Sequence, residues 1–150
     1  DFLIVDLPPG TGDIRLTLSQ KVKLVGAVIV TTPQDIALAD VRKAIEMFGK
    51  VDVPIVGLIE NMATFICNQC GCETKIFGSG GGDKLASEYG LSLLGTLPLE
   101  SPSSTEVNIE DPQQMLIRSD AIVREFDKIV DGVLDHANRS SAPDTEVVFE

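Results

Sequence analysis

Four short apolar runs punctuate the chain, at residues 2–5, 25–30, 55–59 and 93–97, each rich in Val, Ile or Leu and nearly free of polar alternation. Runs of that length and uniformity predict strands covered on both faces, as in a parallel sheet. Between them the apolar positions recur at helical spacing. Residues 13–22 carry Ile14, Leu18 and Val22, and residues 35–48 carry Ile36, Val41, Ala44, Ile45 and Phe48. Residues 83–89 predict a short helix ended by Gly90, and residues 118–137 carry Ile122, Phe126, Ile129, Val130, Val133 and Leu134 in a helical stripe. Strand then helix, repeated, predicts right-handed βαβ units and so an α/β, doubly wound, mostly parallel sheet. The first run is already fully apolar and needs neighbours. With no initiator Met and no cap before Asp1, the reading is of a chain that opens mid-fold, its first strands lying upstream. Residues 1–138 are then the C-terminal portion of a single domain, and 139–150, rich in Ser, Pro and acid, a flexible acidic tail.

Composition narrows the function classes. The 150 residues suffice for one domain with a real core, at 43% hydrophobic and 23% charged. A formal charge of −11 argues against nucleic acid, whose phosphates nothing here would neutralise, and against an anionic membrane surface. No run of 18 apolar residues predicts a spanning helix, and the first residues lack the basic start of a signal peptide. The expected setting is the cytoplasm or an organelle matrix.

The richest segment runs Phe2-Leu3-Ile4-Val5-Asp6-Leu7-Pro8-Pro9-Gly10-Thr11-Gly12-Asp13. A buried strand that delivers a carboxylate at its C-terminal end places Asp6 where open α/β sheets bind ligands. A carboxylate there can hold Mg²⁺ while the metal bridges phosphate oxygens, and the glycines let backbone N–H groups approach a terminal phosphate. The alternative is a capped turn in which Asp6 serves only the loop. The Gly-rich cradle with its Lys that should partner such a loop is not found. Gly49-Lys50 runs into Val51, and Gly78-Ser79-Gly80-Gly81-Gly82-Asp83-Lys84 has Asp83 in the last glycine position of a dinucleotide fingerprint and no apolar strand directly before it. That second string reads as a flexible turn into the next helix.

Cys67, Cys70 and Cys72 fall within six residues, which points to a metal site in a reducing compartment and away from a disulfide framework. Two cysteines spaced by two residues can bind one metal together, and Gly71 permits the tight knuckle. A thioredoxin-like pair, which normally opens a helix, and a structural Zn²⁺ knuckle are the other readings.

The string at residues 1–13, Val30-Thr31-Thr32-Pro33-Gln34, Glu60-Asn61-Met62, Cys67-x-x-Cys70-Gly71 and Ile76-Phe77-Gly78-x-Gly80-Gly81-Gly82 stand in the order and spacing of the Mrp/ApbC-type iron–sulfur cluster carrier ATPases, relatives of MinD and of nitrogenase iron protein. The resemblance covers residues 1–99 and weakens beyond. It implies a MinD-like P-loop fold, ATP hydrolysis, and a homodimer holding a [4Fe–4S] cluster for delivery to apo iron–sulfur proteins and exchange with cluster-assembly scaffolds. By the same resemblance Asp6 is the Walker B residue for Mg²⁺, Gly10 senses the γ-phosphate, Asn61 hydrogen-bonds adenine, Pro98 lies in the loop flanking the base, and Cys67 and Cys70 hold the cluster. The family's Walker A lysines have no counterpart in this sequence. Two departures stand out: Cys72 is extra to the pattern, and Glu100-Ser101-Pro102-Ser103-Ser104 replaces the usual Asp and short basic stretch. The cysteine count agrees with the dimer. A [4Fe–4S] cluster wants four ligands, one chain offers two or three, and a two-fold axis supplies two from each copy. The rival functions are a MinD/ParA-like switch, against which the mixed-to-acidic 118–137 helix speaks, and a zinc-knuckle dimerisation module.

Overall fold

The computed structural model describes residues 2–7, 12–67, 69–100 and 120–140. Within them the helix–strand alternation read from the apolar pattern is realised as α1 (Gly12–Lys21), β1 (Ala27–Thr31), α2 (Asp35–Lys50), β2 (Ile55–Ile66), β3 (Glu73–Thr74), α3 (Gly81–Tyr89), β4 (Leu93–Glu100) and α4 (Asp120–Arg139). β2 is the central strand. It pairs in parallel with β1, from Ala27 opposite Ile55 to Thr31 opposite Glu60, and in parallel with β4 along its other edge. β3 is a short antiparallel addition through Phe65–Thr74 and Ile66–Glu73. The sheet is therefore mostly parallel, with one small antiparallel strand that the apolar pattern could not reveal. Glu73 and Thr74 are polar and exposed.

Helices lie on both faces, but the cover expected for every strand is incomplete: Val28 and Val30 of β1 stay exposed on the second face. On the first, Ile29 and Leu58 of the sheet pack with Leu38, Val41, Ile45 and Phe48 of α2 and Leu85 and Ala86 of α3. On the other, α4 lies so close to β4 that a Cβ on Gly95 would stand 2.8 Å from Ile129 Cγ1. Alternation along β2 puts Leu58 toward the first layer and Ile59 toward the second, and both are buried. Gly90 ends α3 in the left-handed conformation, φ 64°, where a side chain would be strained.

Two expectations change. Residues 2–5 form no strand here: Phe2, Leu3, Ile4 and Val5 are exposed, Leu3 at 90%. An apolar run becomes a buried strand only when ladder partners flank it on the sheet, and no described strand pairs with this one. The α4 stripe also divides. Ile122 and Ile129 are buried, whereas Phe126 and Val130 stay exposed, because the apolar arc is wider than the strip of sheet it covers. α4 continues to Arg139, one residue beyond the expected domain boundary at 138; most of the expected tail, from residue 141 on, lies outside the described residues. No described helix is long and apolar enough to cross a membrane.

Candidate functional site

β2 is the axis of the site because it carries Asn61 and runs directly into Cys67. Its ladder to β1 stops at Glu60, and its ladder to β4 runs to Asn61–Leu97 and resumes at Phe65–Leu99. Between those pairs β2 has three residues, Met62, Ala63 and Thr64, against Pro98 alone on β4. This is a β-bulge with two extra residues, and proline is what such a step tolerates, having no N–H to give to the ladder. Met62 takes φ +57°, in the left-handed region that a side chain disfavours. Its N–H is received by Asn61 Oδ1 at 3.0 Å. Asn61 and Pro98, both expected beside the base, are thus brought to adjacent strands at one bulge, with the Asn61 Nδ2 hydrogens on the other arm of the carboxamide.

Glu60, one residue earlier, is a buried carboxylate at 4% exposure. It accepts the N–H of Gly82 in the first turn of α3. A carboxylate suits a helix N-terminus, where orphan N–H groups and the helix dipole converge. A Cβ on Gly82 would meet Glu60 Oε2 at 2.8 Å and Leu93 Cδ1 at 3.2 Å, and one on Gly81 would meet Leu38 Cδ1 at 2.7 Å. Gly81 and Gly82 are therefore a docking point for α3, where the sequence alone suggested a flexible turn. A cleft of about 240 Å³ beside it, lined by Pro33, Asp35, Leu38, Phe77, Gly78 and Lys84, is smaller than most small-molecule pockets.

Beyond the bulge, β2 runs into the cysteine hairpin. Cys67 N–H donates to the Cys72 carbonyl at 3.0 Å, and Gly71 N–H to the Cys67 carbonyl at 2.8 Å, so β2 and β3 close around residues 67–72. Gly71 is left-handed, φ 68°, at the knuckle. The Cys67 thiol is held below the usual cysteine range, chiefly by the Gln69 N–H, then by the N–H and the thiol of Cys70, against a small opposing effect of burial. Donors aimed at a sulfur stabilise its thiolate, the form that binds metal. All three cysteines are free thiols; Cys67 is half-buried, Cys70 and Cys72 exposed. Among the described residues no three His, Cys, Asp or Glu side chains are gathered closely enough to hold a metal ion. Cys67 and Cys70 stand close enough for the Cys70 thiol to act on the Cys67 sulfur.

The remaining expected residues do not join this group. Asp6 is exposed in the unpaired segment 2–7, and Gly10 lies outside the described residues. Outside that expected set, His136 lies near Gly26 with Nε2 buried and without a hydrogen-bond partner among the described residues.

A mostly parallel sheet, with helices on both faces and its polar signatures at the C-terminal ends of the strands, is the architecture of P-loop nucleotide-binding proteins. The chain belongs to the ParA/NUBPL iron-transfer P-loop NTPase family, whose model it matches over residues 1–134. It is 60% identical over 99 residues to the iron–sulfur cluster carrier protein of Pseudomonas fragi, covering 66% of this chain and 34% of that protein. With the carrier protein of Haemophilus influenzae it shares 44% identity over 133 residues, 89% of this chain and 36% of the relative. The mouse iron–sulfur cluster transfer protein NUBPL is 54% identical over 99 residues, 66% of this chain and 31% of that protein. Among solved structures, a nucleotide-binding protein from Archaeoglobus fulgidus in complex with ADP is similar with a TM-score of 0.55 and 45% identity, over 63% of this chain and 39% of that one. The chain spans about a third of the length of the curated relatives it matches.

Proposed function

We propose that the protein is an iron–sulfur cluster carrier, in which a [4Fe–4S] cluster bridges two copies through Cys67 and Cys70 of each and is delivered to apo iron–sulfur proteins. The observation that carries the reading is the hairpin at the end of β2, where two free thiols stand together and Cys67 is poised toward the thiolate. Two ligands per chain leave a four-ligand cluster half satisfied, and a two-fold axis completes it. A cluster held at an exposed edge by two thiols from each side is open to ligand exchange, which a carrier needs. Apo iron–sulfur proteins and cluster-assembly scaffolds as partners follow from the same reading, as does a reducing compartment, cytoplasm or organelle matrix.

ATP is the proposed nucleotide, with Asn61 and Pro98 at the base, Gly10 at the γ-phosphate and Asp6 at the metal. Asp6 offers a single exposed carboxylate, which fits a Mg²⁺ completed by water and phosphate oxygens. Mg²⁺ would supply neutralisation of phosphate charge there. Within this chain, Asn61 orients the base and the glycine-rich loop docks α3 beside it. ATP hydrolysis is proposed for the whole protein, with the phosphate cradle the sequence does not contain.

Cluster delivery tests the function. Anaerobically reconstituted whole protein is mixed with an apo enzyme whose activity requires a [4Fe–4S] cluster. Recovery of that activity is expected, and so is its loss when Cys67 and Cys70 are both replaced by Ser. A loaded protein that never restores the acceptor, or a double variant that restores it as well as the parent, would refute the reading.

A further inference from the structure

Between Asn61 and Cys67 lies the longest stretch of β2 with no ladder partner on either side. β1 pairs up to Glu60, β3 begins at Phe65, and β4 skips from Asn61 to Phe65. Residues 62–64 thus join two laddered units. Upstream is the core sheet, fixed by Leu58, Ile59 and the buried Glu60 on α3. Downstream is the hairpin, Phe65 and Ile66 with β3 and the three cysteines. The link holds Met62 in a left-handed conformation, and its N–H donates to Asn61 Oδ1. A backbone held out of its preferred region persists only while its surroundings enforce it, and such sites are often bistable. Elsewhere in the described residues only Asp52 among non-glycines has positive φ, and it lies in the turn between α2 and β2.

We infer that this bulge is the coupling element between nucleotide and cysteines, with Met62 as a positioning residue. The inference rests on the proposed contact of Asn61 with the base. A carboxamide has two arms. With Oδ1 engaged by Met62 N–H, the Nδ2 hydrogens face outward and can donate to an acceptor nitrogen of a purine ring. Occupancy by the base fixes the carboxamide in the orientation that also holds the bulge. When the base leaves, the carboxamide is free to turn, the left-handed Met62 loses its support, and the hairpin gains freedom relative to the core. The same group thus reports nucleotide to the thiols across six residues of one strand, with no rearrangement of the buried core. The link is reciprocal: a cluster that immobilises the hairpin favours the bulge, and so favours the base.

Hydrogen exchange of the amides of residues 65–75, measured in the whole protein with and without ADP, tests this. In the parent, ADP is expected to slow hairpin exchange about fivefold or more, the scale of the strain held at one left-handed residue. Met62→Gly removes that strain, so hairpin exchange should become indifferent to ADP, while ADP affinity stays within about twofold, a change too small to reflect a lost contact. Asn61→Asp keeps an oxygen for the Met62 N–H but has no donor for the base. It should lower ADP affinity and leave hairpin exchange of the nucleotide-free protein as in the parent. Met62→Gly with parental ADP dependence would overturn the coupling. So would a parent whose ADP affinity falls with Asn61→Asp but whose hairpin ignores ADP. An ADP affinity unmoved by Asn61→Asp would instead sink the base contact itself, and the inference with it.

Discussion

Replacing Glu60 tests the claim that the glycine-rich segment is a docking point. Glu60→Ala takes the acceptor from the Gly82 N–H inside a buried contact. A hydrogen bond to a charged group contributes about 1.5–3 kcal/mol, and a carboxylate at a helix N-terminus up to about 2 kcal/mol within that sum. Relief of carboxylate burial offsets part of it, which leaves a loss of about 2 kcal/mol. For a chain of this size that lowers Tm by roughly 4–8 °C. Glu60→Gln keeps an oxygen acceptor and should cost about half as much. Gly82→Ala supplies an independent arm. Its Cβ would stand 2.8 Å from Glu60 Oε2, and overpacking of this kind costs about 1–3 kcal/mol, reduced by about 1 kcal/mol of helix propensity gained. Once Glu60 is Ala, the clashing oxygen is gone. The double variant should therefore be less destabilised than the sum of the singles, by about 1 kcal/mol. Urea unfolding of the four proteins measures the cycle. Singles that add within about 0.3 kcal/mol, or a Glu60→Ala loss under about 0.5 kcal/mol, would refute the docking geometry.

Three further outcomes are expected. Leu58→Ala empties a fully buried site between β2 and the α2–α3 layer and should cost about 3–5 kcal/mol in denaturant unfolding. The Glu88 carboxyl is held below the usual range chiefly by its hydrogen bonds from Arg42, at 2.8 and 3.2 Å, against weaker desolvation. A lowered carboxyl contributes stability above its unfolded value, about 4.3, and loses it as pH falls through the folded value. Glu88→Gln should therefore be slightly less stable than the parent at pH 7 and equal to it at strongly acid pH, with the difference shrinking in high salt because both groups are exposed. Because N–H donors favour the Cys67 thiolate, its alkylation by iodoacetamide, followed by peptide mass mapping, should reach half its maximal rate below the pH of about 8.5 typical of a free cysteine. A midpoint at or above that pH would contradict the donor geometry.

Much of this architecture could be read from the sequence, for reasons visible in particular residues. The runs at 25–30, 55–59 and 93–97 supplied β1, β2 and β4 because each finds ladder partners on the sheet, although Val28 and Val30 of β1 stay exposed on one face. The run at 2–5 is identical in character and is not a strand here, because apolar character states a need for neighbours without supplying them. β2 proved seven residues longer than its apolar core, since its ladder to β4 runs on through polar Glu60 and Asn61 and resumes at Phe65 beyond the bulge. Glu60 was visible as a charged residue inside a strand, yet its partner, Gly82, is 22 positions away and leaves no local signal. The bulge was unreadable for the same reason: it arises from a register mismatch between β2 and β4, and Pro98 was its one trace in the sequence. Cys67 and Cys70 could be picked out as candidates because a Cys-x-x-Cys spacing is a local motif.

Two thiols per chain sharing one cluster between copies fix an iron count, and iron stoichiometry with native mass tests it directly. Anaerobic reconstitution of the whole protein should give a brown dimer with about four irons per two chains, as a four-iron cluster on a two-fold axis requires. Replacing Cys67 and Cys70 by Ser should leave it colourless and free of iron. A colourless protein carrying Zn²⁺, or iron held unchanged by the double variant, would contradict it.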